Sequence, residues 1–554
     1  MSEAPRIRPS LQVLCTDYFE GKVQPLENLI VAFRKIQALP ASHGDSFFTI
    51  AGYHGEPFVQ EDPDLKPDSK WWGGWCQHNT VLFPTWHRAY LLRLEEALRN
   101  ALPDADIALP YWDHCDAVNE NRDPIPWILT APVLPKPVEG DVSNDVSNPL
   151  YSYTLKASIA DNHHDGDKDP KRYTKPEGYQ TVRYPQSGLV GNDRDRAETE
   201  DHNTKYGDAA ENAQHLNNNV KAWLRGTQVI DTSGGQNEIP LTTSLASRYR
   251  LCLEAEEYTA FSNNASNKAR INHLASQGTK TFSVALEDGH NGMHLAVGGF
   301  FQLDKSNADP IRGANGDMGE NETASFDPIF YFHHAFIDYL FWKWQQKHHF
   351  EERGSLTLLP DSQLLVLDDR HKPGDQAANG LHSLGGPDLP FGHTLTLDTP
   401  LKPFRSMTNG WHTSNSVTDI RALGYDYAPG SFDKTLHRAP LDDTQDLFAL
   451  ARVAGLDRVA YEGSFVIHTY AKIDGKKVEV GREAVLSRWS VNNCGNCRNH
   501  LDADAYVPIT KDLSKAIGMD SEKDVASKLS VEIQSRSPGH GQDRKGTSPV
   551  IRPL

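Results

Sequence analysis

Apolar residues recur at three- and four-residue steps in three stretches of the first 430 residues, the signature of helices that bury one face. NLIVAFRKIQALP, residues 28–40, is the first. Over 84–102 the residues Phe83, Trp86, Tyr90, Leu94, Ala97 and Ala101 form a single stripe. The third helix, 328–348, is the best delimited. Asp327 can cap it, Pro328 suits the first helical position, and Phe330, His334, Ile337, Phe341 and Trp344 share a face. Residues 160–210 are polar and rich in breakers, and predict a long surface excursion.

Past residue 428 the period shortens. Residues 429–460 mix Pro, Gly and charge and predict a linker. Ser464–Ile473 and Lys477–Val480 alternate in polarity about Asp474-Gly475, a pair suited to a tight hairpin turn, and Val531–Ile533 adds a further strand. The expected architecture is mainly α. A large helical domain covers 1–428, a small C-terminal β domain resembling a sandwich covers 461–536, and 537–554 is a disordered tail.

Composition narrows the function. A chain of 554 residues exceeds what one hydrophobic core usually serves. With 56 basic against 74 acidic side chains the formal charge is −18, which argues against nucleic acid or an anionic membrane as partner. No run of eighteen apolar residues occurs. The opening MSEAPRIRPS lacks the apolar core of a signal peptide, so a cytoplasmic location is expected. Six cysteines in so long a chain do not make a disulfide framework.

The chemistry lies in a grouping among the 24 histidines. His290 and His294 are four apart, so on a helix their rings leave one face. His334 lies on the inner stripe of its helix. His87 falls on the buried face of another, nine residues after His78, and His54 sits before a Gly-Glu-Pro turn. Neutral imidazoles with no acidic or thiolate cluster suit copper, zinc or iron. Six in two groups of three suit a paired metal site better than the three-ligand site of a plain zinc hydrolase.

GENETASFDPIFYFHHAFIDYLFWKWQ resembles the second copper-binding region of the type-3 copper proteins, and WWGGWCQHNTVLFPTWHRAYLLRLEEAL their first. These proteins are the tyrosinases, catechol oxidases and hemocyanins. NPLYSYT (148–154), GANGDMGEN (313–321) and the trailing β domain bring the likeness nearest to the fungal-type tyrosinases, over nearly the whole chain. The resemblance implies a four-helix-bundle core with long loops, two copper ions, dioxygen as co-substrate and phenolic small molecules as substrates. It makes His54, His78 and His87 ligands of one copper and His290, His294 and His334 ligands of the other, while His333 packs or hydrogen-bonds nearby.

The resemblance also implies a thioether between Cys76 and His78. Glu287 and Asn291 become the pair that serves a base for monophenols, and Phe330 stacks on a bound ring or a ligand histidine. Arg88 and Asp338 pair behind the ligands. Cys494 and Cys497 form a possible copper-delivery port for a copper donor. The expected activity is hydroxylation of monophenols and oxidation of o-diphenols to o-quinones, in a form capped by the β domain. Phe465, Trp489 or Tyr506 would fill the phenol position. An o-aminophenol or catechol oxidase, or an oxygen carrier like the hemocyanins, are the alternatives. A homo-oligomer is possible.

Overall fold

The fold is described in a computed structural model, for all residues except 1–3, 57–73, 119, 121, 140–143, 160–173, 227–228, 232–237, 301–315, 365–379, 382–392, 407–409, 434–446, 462, 490, 492–499 and 536–548. Helices α1 (Leu11–Phe19), α2 (Gln24–Ala38), α3 (Phe47–Ala51) and α4 (Phe83–Ala101) open the chain. A short turn, α5 (Trp127–Thr130), precedes the longer α6 (Asp193–Lys205) and α7 (Ala209–Arg225). Helices α8 (Leu245–Cys252), α9 (Tyr258–Ser262) and α10 (Asn264–Ser276) lead into α11 (Leu286–Gly298) and α12 (Ile329–His348).

The centre of the molecule is α12. Every residue from Ile329 to Gln345 is buried, as a helix that is apolar on all sides requires. Asp327 accepts the Ile329 N–H at 3.1 Å and also receives Arg183, so its capping role is shared with a buried ion pair. Helices α4 and α11 pack on α12, and α2 packs on α4 and touches α12 through Phe33 and Phe332. All of α11 is buried, and its glycines allow close approach. A Cβ on Gly298 would lie 2.1 Å from the backbone nitrogen of Gly319.

The 160–210 excursion is corrected in part: α6 lies within it. Its inward stripe is polar (Asp195, Thr199, His202), which an apolar period does not reveal. Thr199 and His202 satisfy this face through the carbonyls of Leu189 and Pro185.

Strand β1 (Arg6–Arg8) pairs in parallel with β6 (Tyr425–Tyr427), and two short hairpins join β2 (Val229–Asp231) to β3 (Glu238–Pro240) and β4 (Pro400–Arg405) to β5 (Trp411–Thr413). Beyond them stand two three-stranded sheets. One has the order β10-β7-β12 and the other β11-β8-β9. Their strands are β7 (Leu447–Asp457), β8 (Phe465–Ile473), β9 (Lys476–Val485), β10 (Asp502–Thr510), β11 (Leu529–Ser535) and β12 (Val550–Pro553). Asp474 and Gly475, with φ of 50° and 75°, make the hairpin turn that joins β8 to β9.

Two expectations fail here. The linker ends early, because residues 447–457 form the central strand of a sheet. The tail is not disordered at its end, since Val550–Pro553 hydrogen-bonds to β7. The alternation in 447–457 is diluted by alanines, and a four-residue strand is too short to show a period. The sheets pack on the helices: Leu450, Val466, Ala484, Leu486 and Tyr506 belong to the same apolar core as α4 and α12. No described helix is long and apolar enough to cross a membrane.

Candidate metal centre

Three helices and two turns converge on a buried cluster of imidazoles. His54 follows α3, His78 lies in the turn before α4, and His87 is on α4. Their ring centroids lie 5.2 to 5.7 Å apart. His290 and His294 project from α11 toward His334 of α12. The Nε2 atoms of His290 and His294 face that of His334 at 3.3 and 3.4 Å. The two groups meet where His87 stacks on His334, with centroids 4.5 Å apart and planes 15° from parallel.

The remaining nitrogens show how the rings are oriented. His87 Nδ1 donates to the Phe83 carbonyl at 2.8 Å, His294 Nδ1 to the Met318 carbonyl at 2.9 Å, and His290 Nδ1 to the Asn291 side-chain oxygen at 2.9 Å. Each bond fixes a tautomer with a bare lone pair on Nε2, the form that binds metal. Among the described residues both nitrogens of His54 and His78, Nε2 of His87 and Nδ1 of His334 are buried with no hydrogen-bond partner. Burying such polar atoms costs free energy unless something else engages them. Burial, and then the charges of neighbouring rings, lower the pKa of His54, His78, His290 and His334; burial holds His87 at about 3 and His294 at about 4. The cluster is therefore neutral and nitrogen-rich, and it fits two copper ions.

Two groups of donor atoms reach beyond the expected ligands. The first compact group of donor atoms contains Cys76 beside His54 and His78, all within 4.8 Å of one another. The second contains His333 as well as His290, His294 and His334. His333 was expected only to pack or hydrogen-bond nearby, and it does face His114.

The supporting residues are assembled as well. Phe330 lies under His334, with centroids 4.0 Å apart, and edge-on to His54 at 5.0 Å. Glu287 is buried, and its carboxylate accepts the backbone N–H groups of Asn79 and Asn264 at 2.9 and 3.0 Å. Burial pushes its pKa up to about 7 against the pull of these two donors. Arg88 Nε meets Asp338 at 2.6 Å, and Asp338 also accepts from Tyr425 and Tyr427 at 2.8 and 2.6 Å. This network locks α4 to α12 directly behind His87 and His334.

From the segment that follows β9, Arg488 reaches the cluster, donating to Cys76 Sγ at 3.5 Å. Trp489 donates its backbone N–H to Glu322 at 2.9 Å and its indole N–H to Glu320. The other two aromatic candidates lie elsewhere. Phe465 packs on Tyr461 inside the sheets, and Tyr506 donates to Asn272 of α10. No pattern in the sequence singled out Arg488, Glu320 or Glu322. Cys494 and Cys497 lie outside the described residues.

The comparisons agree with this geometry. The family model for the common central domain of tyrosinase matches residues 44–347. A tyrosinase of Hahella sp. is 40% identical over 91% of this chain and 88% of its own length. A tyrosinase of Aspergillus oryzae is 40% identical over 96% of this chain and 94% of its own. Among solved structures, a tyrosinase from Burkholderia thailandensis at low pH superposes with a TM-score of 0.77 at 35% identity, over 99% of this chain and 100% of that one. The chain belongs to the tyrosinase family and is a phenol oxidase that depends on a paired, type-3 copper centre and dioxygen.

Proposed function

We propose that the chain hydroxylates monophenols and oxidises o-diphenols to o-quinones, with His54, His78 and His87 holding one copper and His290, His294 and His334 the other. The observation that carries this reading is the meeting of two imidazole groups whose inward nitrogens have no other partner among the described residues. A copper pair bound there would relay electrons from the phenol to dioxygen.

The chain's own residues do the rest. Phe330 gives an apolar floor beneath His334, and Asn291 orients His290. A phenol must shed its proton before it reacts, and its ordinary pKa near 10 makes that costly at neutral pH. Glu287 is the group we assign to take that proton. The test is oxygen uptake and quinone absorbance with L-tyrosine, catechol and an o-aminophenol. Turnover of all but L-tyrosine would overturn the hydroxylation and leave a diphenol oxidase.

We infer further that the C-terminal sheets cap the centre. Supporting this, Arg488 reaches Cys76, Trp489 is held by Glu320 and Glu322, and Ser464 donates to the Gly319 carbonyl at 3.0 Å. A role for Cys494 and Cys497 in receiving copper from a donor rests on their spacing alone.

A further inference from the structure

Behind the second histidine group runs a chain of polar contacts that the activity does not explain. Tyr249 of α8 lies across α11 at Gly289, where a Cβ would stand 2.4 Å from its ring. Its hydroxyl donates to the Gly289 carbonyl at 3.1 Å. That uses the only phenolic proton, so the same oxygen must accept from Nδ1–H of His114, 3.0 Å away. A neutral His114 then has a lone pair on Nε2, and this nitrogen faces Nδ1 of His333 at 3.4 Å, the two rings stacked with centroids 5.1 Å apart. His333 therefore carries its proton on Nδ1 and donates it.

Its Nε2 is left as a bare lone pair. His333 is fully buried, and Nε2 has no hydrogen-bond partner among the described residues. One ring nitrogen of His333 lies within 4.8 Å of those of His290, His294 and His334. His87, His290 and His294 show the same arrangement, Nδ1–H given to a fixed acceptor and Nε2 left for a metal. A residue that only filled space would not need a tautomer set by two further side chains.

We propose that His333 is an alternate copper ligand, so that an ion held by His290 and His294 is completed by either His334 or His333. The second position receives copper during loading, before His334 engages. This rests on the assignment of His290 and His294 to one copper, and the experiment separates the two claims.

Copper-free full-length protein is loaded with copper(II) sulfate, desalted, and its copper content measured. His290→Ala/His294→Ala should hold one equivalent, and two equivalents there would refute the underlying assignment. His334→Ala should still hold two, and His333→Phe/His334→Ala only one. One equivalent in His334→Ala, with the circular dichroism of the parent, overturns the alternate ligand. Should His334→Ala fail to fold, the time course of copper uptake by copper-free His333→Phe decides. A slowing of about tenfold or more, the scale of loss that changes around metal ligands produce, supports the loading position, and a smaller change or an unchanged rate overturns it.

Discussion

The carboxylate of Glu287 accepts the backbone N–H of Asn79 at 2.9 Å, which ties the helix bearing His290 and His294 to the residue that follows His78. Asn79 sits at a φ of 58°, a left-handed conformation that a non-glycine residue adopts where its surroundings hold it. One carboxylate therefore spans both halves of the centre. Glu287→Gln removes the charge and one acceptor, at a cost of about 1–3 kcal/mol for the donor left unpaired. Monophenol turnover should fall at least about tenfold more than o-diphenol turnover, because the o-diphenol is the more acidic and more easily oxidised substrate and leans less on an assigned base. Equal losses on the two substrates would reduce Glu287 to a strut.

Asn291 has a different duty from the one its neighbour has. Its side-chain oxygen accepts from His290 Nδ1, so Asn291→Ala leaves that ring without the contact that sets its tautomer. Copper retention against a chelator should weaken by about 10- to 100-fold, with circular dichroism unchanged. Retention equal to that of the parent would mean that α11 alone aims His290.

Most of this centre was legible in the sequence because helical spacing places chemistry predictably. The four-residue step from His290 to His294 and the stripe through His334 put three imidazoles on facing helices. His54 and His78 have no such period, and only the likeness of the surrounding motif identified them. The fold was misread where the signal is not apolar alternation. Helix α6 buries a polar stripe, and β7 is diluted by alanines. Arg488, Glu320, Glu322, His114 and Tyr249 reach the centre through tertiary contacts between distant segments, and local pattern carries no trace of those.

Asp338 receives Arg88, Tyr425, Tyr427 and, at 3.4 Å, Arg8, all of them buried. Replacing it by Ala leaves the buried guanidinium of Arg88 without a carboxylate, while Arg8 keeps Glu95. Removing one partner of a buried pair costs about 3–5 kcal/mol, so Asp338→Ala should unfold at markedly lower urea than the parent. A stability within about 1 kcal/mol of the parent would show that water or another group takes over the pairing.

Cys76 is fully buried with its sulfur beside His78, which is the juxtaposition a thioether needs. Forming the bond removes the thiol hydrogen and one ring hydrogen, and the two electrons and two protons pass to dioxygen. The copper-loaded protein should weigh two hydrogens less than its sequence, with Cys76 resistant to alkylation after denaturation. Quantitative alkylation of Cys76 in loaded, denatured protein would exclude the bond.

Trp489 offers the sharpest test of the cap. Its backbone and indole N–H groups both end on the segment that carries Glu320 and Glu322, two residues past the Met318 carbonyl that holds His294. Arg488 is thereby delivered to Cys76, beside His54 and His78. After burial and the neighbouring imidazoles, the positive charge of Arg488 is among the influences that lower the pKa of His54 and His78. Trp489→Ala gives up both the ring and the indole bond, and should raise phenol turnover several-fold at unchanged copper content. Proteolytic cleavage in the linker between 429 and 447, followed by separation of the fragments, tests the same contact without altering a side chain. If both treatments leave turnover where it was while copper content is constant, the sheets are a folding or loading module and the cap is refuted.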